Sequence, residues 1–234
     1  MKKILILLFA LTLVLGTLEI VRADSFSGAI IGATGTLIGT DGWSDAQLGW
    51  TVNNTSNPGF WTYEYDFVVY KHDQLKELSH IIFEVSPSFG PADLNRILTT
   101  PSFELRSDTT PPKTTWGPSD SGNPSMPGSI PGLKFGAPTP TGDGSYFLYE
   151  IKIVTTRGPM WGDFYAKDGT STGVDVVAWN KQFLFGTNAV IDNGNAGGWV
   201  LVPDTATVPE PGILILLGIA MSAIGAASWK ISKF

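Results

Sequence analysis

Few side chains in this sequence could carry chemistry. There are two histidines, His72 and His80, and no cysteine. A histidine metal site or a Ser-His-Asp triad must therefore use one of those two. His80 follows Ser79 at the start of an apolar stretch, where a hydrogen-bonded structural role accounts for it. Gly42-Trp43-Ser44-Asp45-Ala46 begins like a G-x-S-x-G nucleophile elbow but ends on alanine. Glu64 and Asp66 stand two residues apart, about 6–7 Å on a strand, a separation that glycosidase acid–base pairs use. The same alternation places polar residues on any solvated sheet face. Oxygen ligands for calcium occur at Asp163, Asp168 and Gly169, and at Asp192, Asn193, Gly194 and Asn195. Neither stretch matches an EF-hand loop, and turns select these residue types without any ion. Trp43, Trp116 and Trp161 fall near expected turns, where an exposed indole would stack on a sugar ring. On alternating strands most aromatics are core. The sequence assigns no catalytic residue, no cofactor and no metal ligand.

The elements that must position these residues are strands. Charged residues make up only 15% of the chain, while Gly (27) and Pro (16) are abundant, which favours strands joined by turns. Leu48, Trp50 and Val52 alternate with polar or small residues, as do Trp61, Tyr63, Tyr65, Phe67 and Val69. Asn57-Pro58-Gly59 between them predicts a hairpin. Ile81, Phe83 and Val85 form a third face, and Phe147, Tyr149, Ile151 and Ile153 a fourth. Shorter strands are expected over 26–31, 174–179, 182–185 and 198–202. About eight strands with one apolar face each imply an all-β, two-sheet β-sandwich of jelly-roll type over 24–202. A short helix is predicted over 91–98, opened by Pro91 and faced by Leu94, Ile97 and Leu98. Residues 108–145 hold eight prolines and seven glycines and predict a long loop. Its Trp116, Met126, Ile130, Leu133 and Phe135 are expected to pack across the sandwich.

Charge and hydropathy divide the chain further. Residues 24–208 carry ten Lys or Arg against nineteen Asp or Glu, a net charge of −9. That balance lacks the basic footprint of a nucleic-acid binder. Lys2 and Lys3 precede an apolar run, 4–16, only about 20 Å long as a helix. Val21 and Ala23 then supply small residues before a cleavage point between Ala23 and Asp24, so residues 1–23 read as a signal peptide, with an uncleaved anchor as the alternative. At the other end residues 203–234 form a tail. Pro203 to Pro211 is an extended linker with three prolines. The stretch 212–229 has eighteen uncharged residues, about 27 Å as a helix, and Lys230 and Lys233 follow. The charge bias predicts a transmembrane helix with its end in the cytoplasm.

Pro209, Glu210 and Pro211, then an apolar helix, then a basic end, in that order within thirty residues of the terminus, resemble a PEP-CTERM sorting tail. Residues 79–86, 124–135 and 161–169 are also similar to stretches of other PEP-CTERM outer domains. Tails of that family usually end in an Arg-rich cluster, whereas this one has two separated lysines and finishes on Phe234. The resemblance implies recognition by an exosortase, a membrane-embedded cysteine protease, and anchorage in the inner membrane until the tail is removed. It implies release to the cell surface or beyond, in bacteria that make exopolysaccharide and biofilm. The two prolines hold the triplet extended, which suits a protease cleft. A plain C-terminal membrane anchor remains the alternative. The resulting expectation is a non-enzymatic, exported surface or matrix protein with a structural or adhesive sandwich. A carbohydrate-binding module and a secreted glycoside hydrolase are the other readings.

Overall fold

The computed structural model describes residues 24–70, 77–100, 103–104, 115–120, 122–169, 174–184 and 197–203. Ala23, the 1–23 segment, His72, the 192–195 turn, Pro209, Glu210, Pro211, the 212–229 span, Lys230 and Lys233 lie outside the described residues. In chain order the strands are β1 (Ser25–Ile31), β2 (Leu37–Gly39), β3 (Gln47–Asn53), β4 (Trp61–Tyr70), β5 (Leu78–Glu84), β6 (Phe103–Glu104) and β7 (Thr115–Trp116). They continue with β8 (Ile130–Gly136), β9 (Tyr146–Thr155), β10 (Pro159–Gly162), β11 (Phe164–Asp168), β12 (Val177–Asn180) and β13 (Val200–Pro203). Among the described residues the only helices are three single 3-10 turns, so the described part of the chain is all-β.

One sheet has the order β1-β3-β4-β9, antiparallel throughout. The alternation read from the sequence decides its two faces. Leu48, Trp50, Val52, Tyr63, Tyr65, Phe67, Val69, Tyr149, Ile151 and Ile153 all point inward and are buried. Thr51, Glu64, Asp66 and Glu150 face outward. β3 and β4 form a hairpin with Asn53 opposite Thr62, and Gly59 supplies the positive φ of its turn, 85°.

A second antiparallel sheet runs β2-β12-β11-β5-β8-β6, with β7 added against β8. Its inward residues Ile81, Phe83, Leu133, Phe135, Phe164 and Ala166 join those of the first sheet in one buried cluster. Tyr65 stacks on Phe83 at 4.0 Å, and Phe67 meets Phe164 at 6.3 Å. Two inner faces sharing one core are consistent with a β-sandwich. A ribbon of β10 and β13 contributes Trp161, Val200, Leu201 and Val202 to the same core. The inward tyrosines keep their hydroxyls bonded: Tyr63 donates to Arg157 O at 3.0 Å and Tyr65 to Leu201 O at 2.7 Å. Each buried aromatic or large aliphatic side chain is worth about 1.5–3 kcal/mol, the means of support left to a domain without disulfides.

Three sequence expectations are corrected. The helix over 91–98 is a 3-10 turn, Pro91–Asp93, after which Leu94 is extended and bridges Thr155. The rest of that stretch caps the open edge of β9. Asn95 N–H donates to Val154 O at 2.8 Å, Val154 N–H to Thr99 Oγ1 at 3.1 Å, and Lys152 N–H to Thr100 Oγ1 at 2.6 Å. Satisfying those edge groups outweighs a weak local helix preference, and Ile97 is left 93% exposed. The loop over 108–145 contains β7 and β8, the latter in the interior of the second sheet. Pro131 is tolerated near the start of β8, where its carbonyl accepts from Val85 N–H at 3.0 Å. Trp116, Met126 and Ile130 pack on the outer face of that sheet, over Ile82, Tyr165 and Val177. Residues 182–184 form a turn and not a strand; Phe183 joins the same outer cluster.

Candidate functional site

The polar outer face of β4 and β9 gathers more ionisable groups than the sequence pairing of Glu64 with Asp66 indicated. The register places Asp66 opposite Glu150 and Glu64 opposite Lys152. Directly opposed residues of an antiparallel pair have Cβ atoms about 4.5–5.5 Å apart, close enough to interact strongly. Lys152 Nζ reaches Glu64 Oε1 at 3.3 Å, a half-exposed ion pair. A surface concavity of about 470 Å³ lies here, lined by Thr51, Glu64, Tyr65, Asp66, Thr100, Glu150, Ile151 and Lys152. Partial burial raises the Asp66 pKa, and the like charges of Glu150 and Glu64 raise it further. An acid of raised pKa beside an ionised carboxylate is the pairing that glycoside hydrolysis needs. Of the two carboxylates beside Asp66, Glu64 is paired with Lys152, whereas Glu150 stands directly opposite Asp66. The arrangement can therefore bind hydroxyls or cationic groups through Glu64, Asp66, Glu150, Thr51 and Thr100. Glu150 was readable as an outward residue of β9, but only the register sets it against Asp66.

The indoles proposed to stack on sugar are corrected by their burial. Trp43 is 1% exposed, Trp116 1% and Trp161 5%. Trp43 packs edge-on to Phe67 at 5.3 Å, and Trp161 edge-on to Trp50 at 6.2 Å. Trp116 donates from Nε1 to Gly132 O at 2.9 Å and lies under Lys134 Nζ at 4.7 Å. All three are packing residues. Only Trp43 lies in a turn; Trp116 and Trp161 stand on β7 and β10.

The remaining chemistry-bearing residues hold the fold together. His80 Nε2 lies 3.0 Å from Asn123 Oδ1, and its ring lies beside Tyr165. Burial lowers its pKa to about 4, helped by Lys134 and Lys167 and opposed by the Asn123 bond, so it is neutral at pH 7. Asp163 belongs to no calcium turn: it sits at the break between β10 and β11, and 164–168 is strand. Its carboxylate accepts from Asn180 Nδ2 at 2.7 Å and Leu184 N–H at 2.8 Å. Burial raises its pKa, while these two bonds act the other way. Among the described residues no three His, Cys, Asp or Glu side chains are grouped to hold a metal ion. Arg157 and Asp93, which sequence reasoning did not single out, form an ion pair in which Nη2 donates to Oδ2 at 3.0 Å and Nε lies 2.9 Å from Oδ1. Arg157 Nη2 also donates to Ser88 O at 2.9 Å, tying the 86–93 loop to the end of β9.

Fold and site together define an all-β protein of packed antiparallel sheets with one acidic outer face. Comparison with family models, with curated proteins and with solved structures finds no match. Among the described residues no helix is long and apolar enough to cross a membrane.

Proposed function

We propose that this is an exported surface or matrix protein, a PEP-CTERM type substrate of an exosortase, whose β-sandwich of jelly-roll type serves as a non-enzymatic structural or adhesive unit. The observation that carries the reading is the order of elements at the C-terminus. Pro209-Glu210-Pro211, eighteen uncharged residues, then Lys230 and Lys233 follow a domain whose last strand ends at Pro203. The first described strand begins at Ser25, one residue after Asp24, which supports removal of 1–23 without loss of any described strand. Before processing the chain is held in the inner membrane by 212–229; afterwards it is at the surface or outside, in contact with exopolysaccharide. Intact-mass measurement of the mature protein tests this. Loss of 1–23 and of the tail beyond Pro211 is expected; a mature mass that includes Phe234 would sink the exosortase route in favour of a plain anchor.

A second reading, a carbohydrate-binding module, is favoured by the concavity over Glu64, Asp66, Glu150 and Lys152, whose polar groups suit sugar hydroxyls. Retention on immobilised host polysaccharide, lost in Asp66→Ala with Glu150→Ala, is the expected result of that reading. Equal retention of both proteins would remove it.

A further inference from the structure

Strand β1 forms one edge of the first sheet and pairs, among the described residues, only with β3. The bonds at its two ends show which of its peptide groups face outward. Gly32 N–H donates to Ala46 O at 2.8 Å and Asn54 N–H to Asp24 O at 3.3 Å, so the even-numbered residues of β1 bond to β3. The N–H and C=O groups of Ser25, Ser27 and Ala29 therefore point away from the sheet, and all three residues are exposed. The next outward pair, on Ile31, is taken by Thr36. The contrast with the opposite edge is sharp, since β9 is covered by the 94–100 stretch. Natural edge strands are blunted by lysine, proline, a bulge or a cover. β1 has no charge and no proline, and its seven pairs with β3 run without a break.

We infer that β1 pairs with β1 of a second copy, antiparallel about a two-fold axis at Ser27, joining two four-stranded sheets into one of eight. The outward groups are symmetric about Ser27. Ser25 then faces the partner's Ala29, Ser27 the partner's Ser27, and Ala29 the partner's Ser25, six backbone hydrogen bonds in all. Any other register with outward groups opposed makes fewer. Charge does not oppose a second copy, although the domain is acidic. The outward residues of β3, namely Gln47, Gly49, Thr51 and Asn53, are uncharged like those of β1. The first carboxylates of this face, Glu64 and Asp66, stand on β4. Across the joint the two β4 strands are five strand spacings apart, about 24 Å, well beyond a Debye length of about 8 Å. Asp24 faces the partner's Ile30, which leaves the two Asp24 residues about 20 Å apart. The outward side chains of the edge, Ser25, Ser27 and Ala29, are too small to obstruct approach. A seven-residue edge is at the small end of protein interfaces, so the pair forms at high local concentration, as on a crowded surface. The inference goes beyond the export reading and holds whether or not the tail is processed.

The test uses the full chain in detergent micelles, with light scattering across a concentration series. The protein mass per particle is expected to rise from one chain toward two, and Ser27→Lys to abolish the rise. The absence of native cysteine makes a second measurement clean. Ser27→Cys is expected to form an interchain disulfide on oxidation, because opposed Cα atoms about 5.5 Å apart lie within disulfide reach. Thr51→Cys, one strand inward on the same exposed face, is expected to stay reduced, its two copies being about 14 Å apart. Urea midpoints confirm that each variant is folded. Single-chain mass at every concentration, no disulfide in folded Ser27→Cys, equal linking of both cysteine variants, or an unchanged Ser27→Lys protein would each overturn the inference.

Discussion

Trp43→Ala separates the packing role of that indole from a sugar-binding one. Trp43 closes a single 3-10 turn, Asp41–Trp43, is 1% exposed, and sits edge-on to Phe67 in the core between the sheets. The turn is pressed against β2 so closely that a Cβ on Gly39 would stand 1.9 Å from the Trp43 carbonyl oxygen. Collapse of that backbone into the vacated space is therefore restricted, and the cavity term is felt in full. Removing a buried indole costs about 3–5 kcal/mol, of which the edge-on pair with Phe67 supplies about 0.5–1.5. With a urea m-value of about 2 kcal/mol/M, the midpoint falls by about 1.5–2.5 M. Equilibrium unfolding followed by far-UV circular dichroism reads this directly. A midpoint within about 0.5 M of the unmodified protein, together with weaker retention on polysaccharide, would refute the reasoning and return Trp43 to the surface.

The Arg157–Asp93 pair predicts a pH dependence. Burial works against the charged Asp93 carboxyl, but the bonds from Arg157 and Gly90 outweigh it and hold its pKa below the usual value. The stabilisation is therefore present above the unfolded carboxyl value near 3.9 and lost as pH falls through the lower folded value. Asp93→Asn is expected to cost about 1 kcal/mol at pH 7 and progressively less as the pH falls below the carboxylate range, read as the gap between urea midpoints. Asp66 has the opposite sign: burial, then Glu150 and Glu64, raise its pKa, so its charged form disfavours the fold at neutral pH. Asp66→Asn is expected to stabilise by about 0.5 kcal/mol at pH 7 and low salt, because the site is largely open to solvent. The gain should shrink in 1 M salt and disappear once the pH is below the carboxylate range; a loss of stability at neutral pH would contradict the like-charge account.

Alternation made β3, β4, β5 and β9 legible, because inward and outward side chains two apart report burial on one face wherever a strand is half-covered. It also placed Glu64 and Asp66 outward on β4. The elements misread were those whose conformation serves another strand. Leu94 to Thr100 carries an amphipathic pattern short enough to be overridden by the open hydrogen-bonding edge of β9. In 108–145 the proline and glycine count masked a seven-residue strand, since Leu133 and Phe135 look inward while Ile130 and Lys134 face a second layer that is itself part of that segment. Asp163 reads as a turn ligand in any local window. Its burial follows from Asn180 and Leu184, brought to it by the pairing of β11 with β12.

The amino-acid sequence by itself determined that this chain builds strands around an apolar, cysteine-free core, with an acidic body between two apolar flanks. Those properties are sums or short-range periods, and a linear string carries them whole. Only the tertiary structure decided which residues meet. It set Glu150 against Asp66 and Lys152 against Glu64, drew Trp43, Trp116 and Trp161 inward, covered the β9 edge and left the β1 edge uncovered among the described residues. The register of β4 against β9 arises from contacts between residues far apart in the chain, such as Tyr65 with Ile151, and no local pattern encodes it.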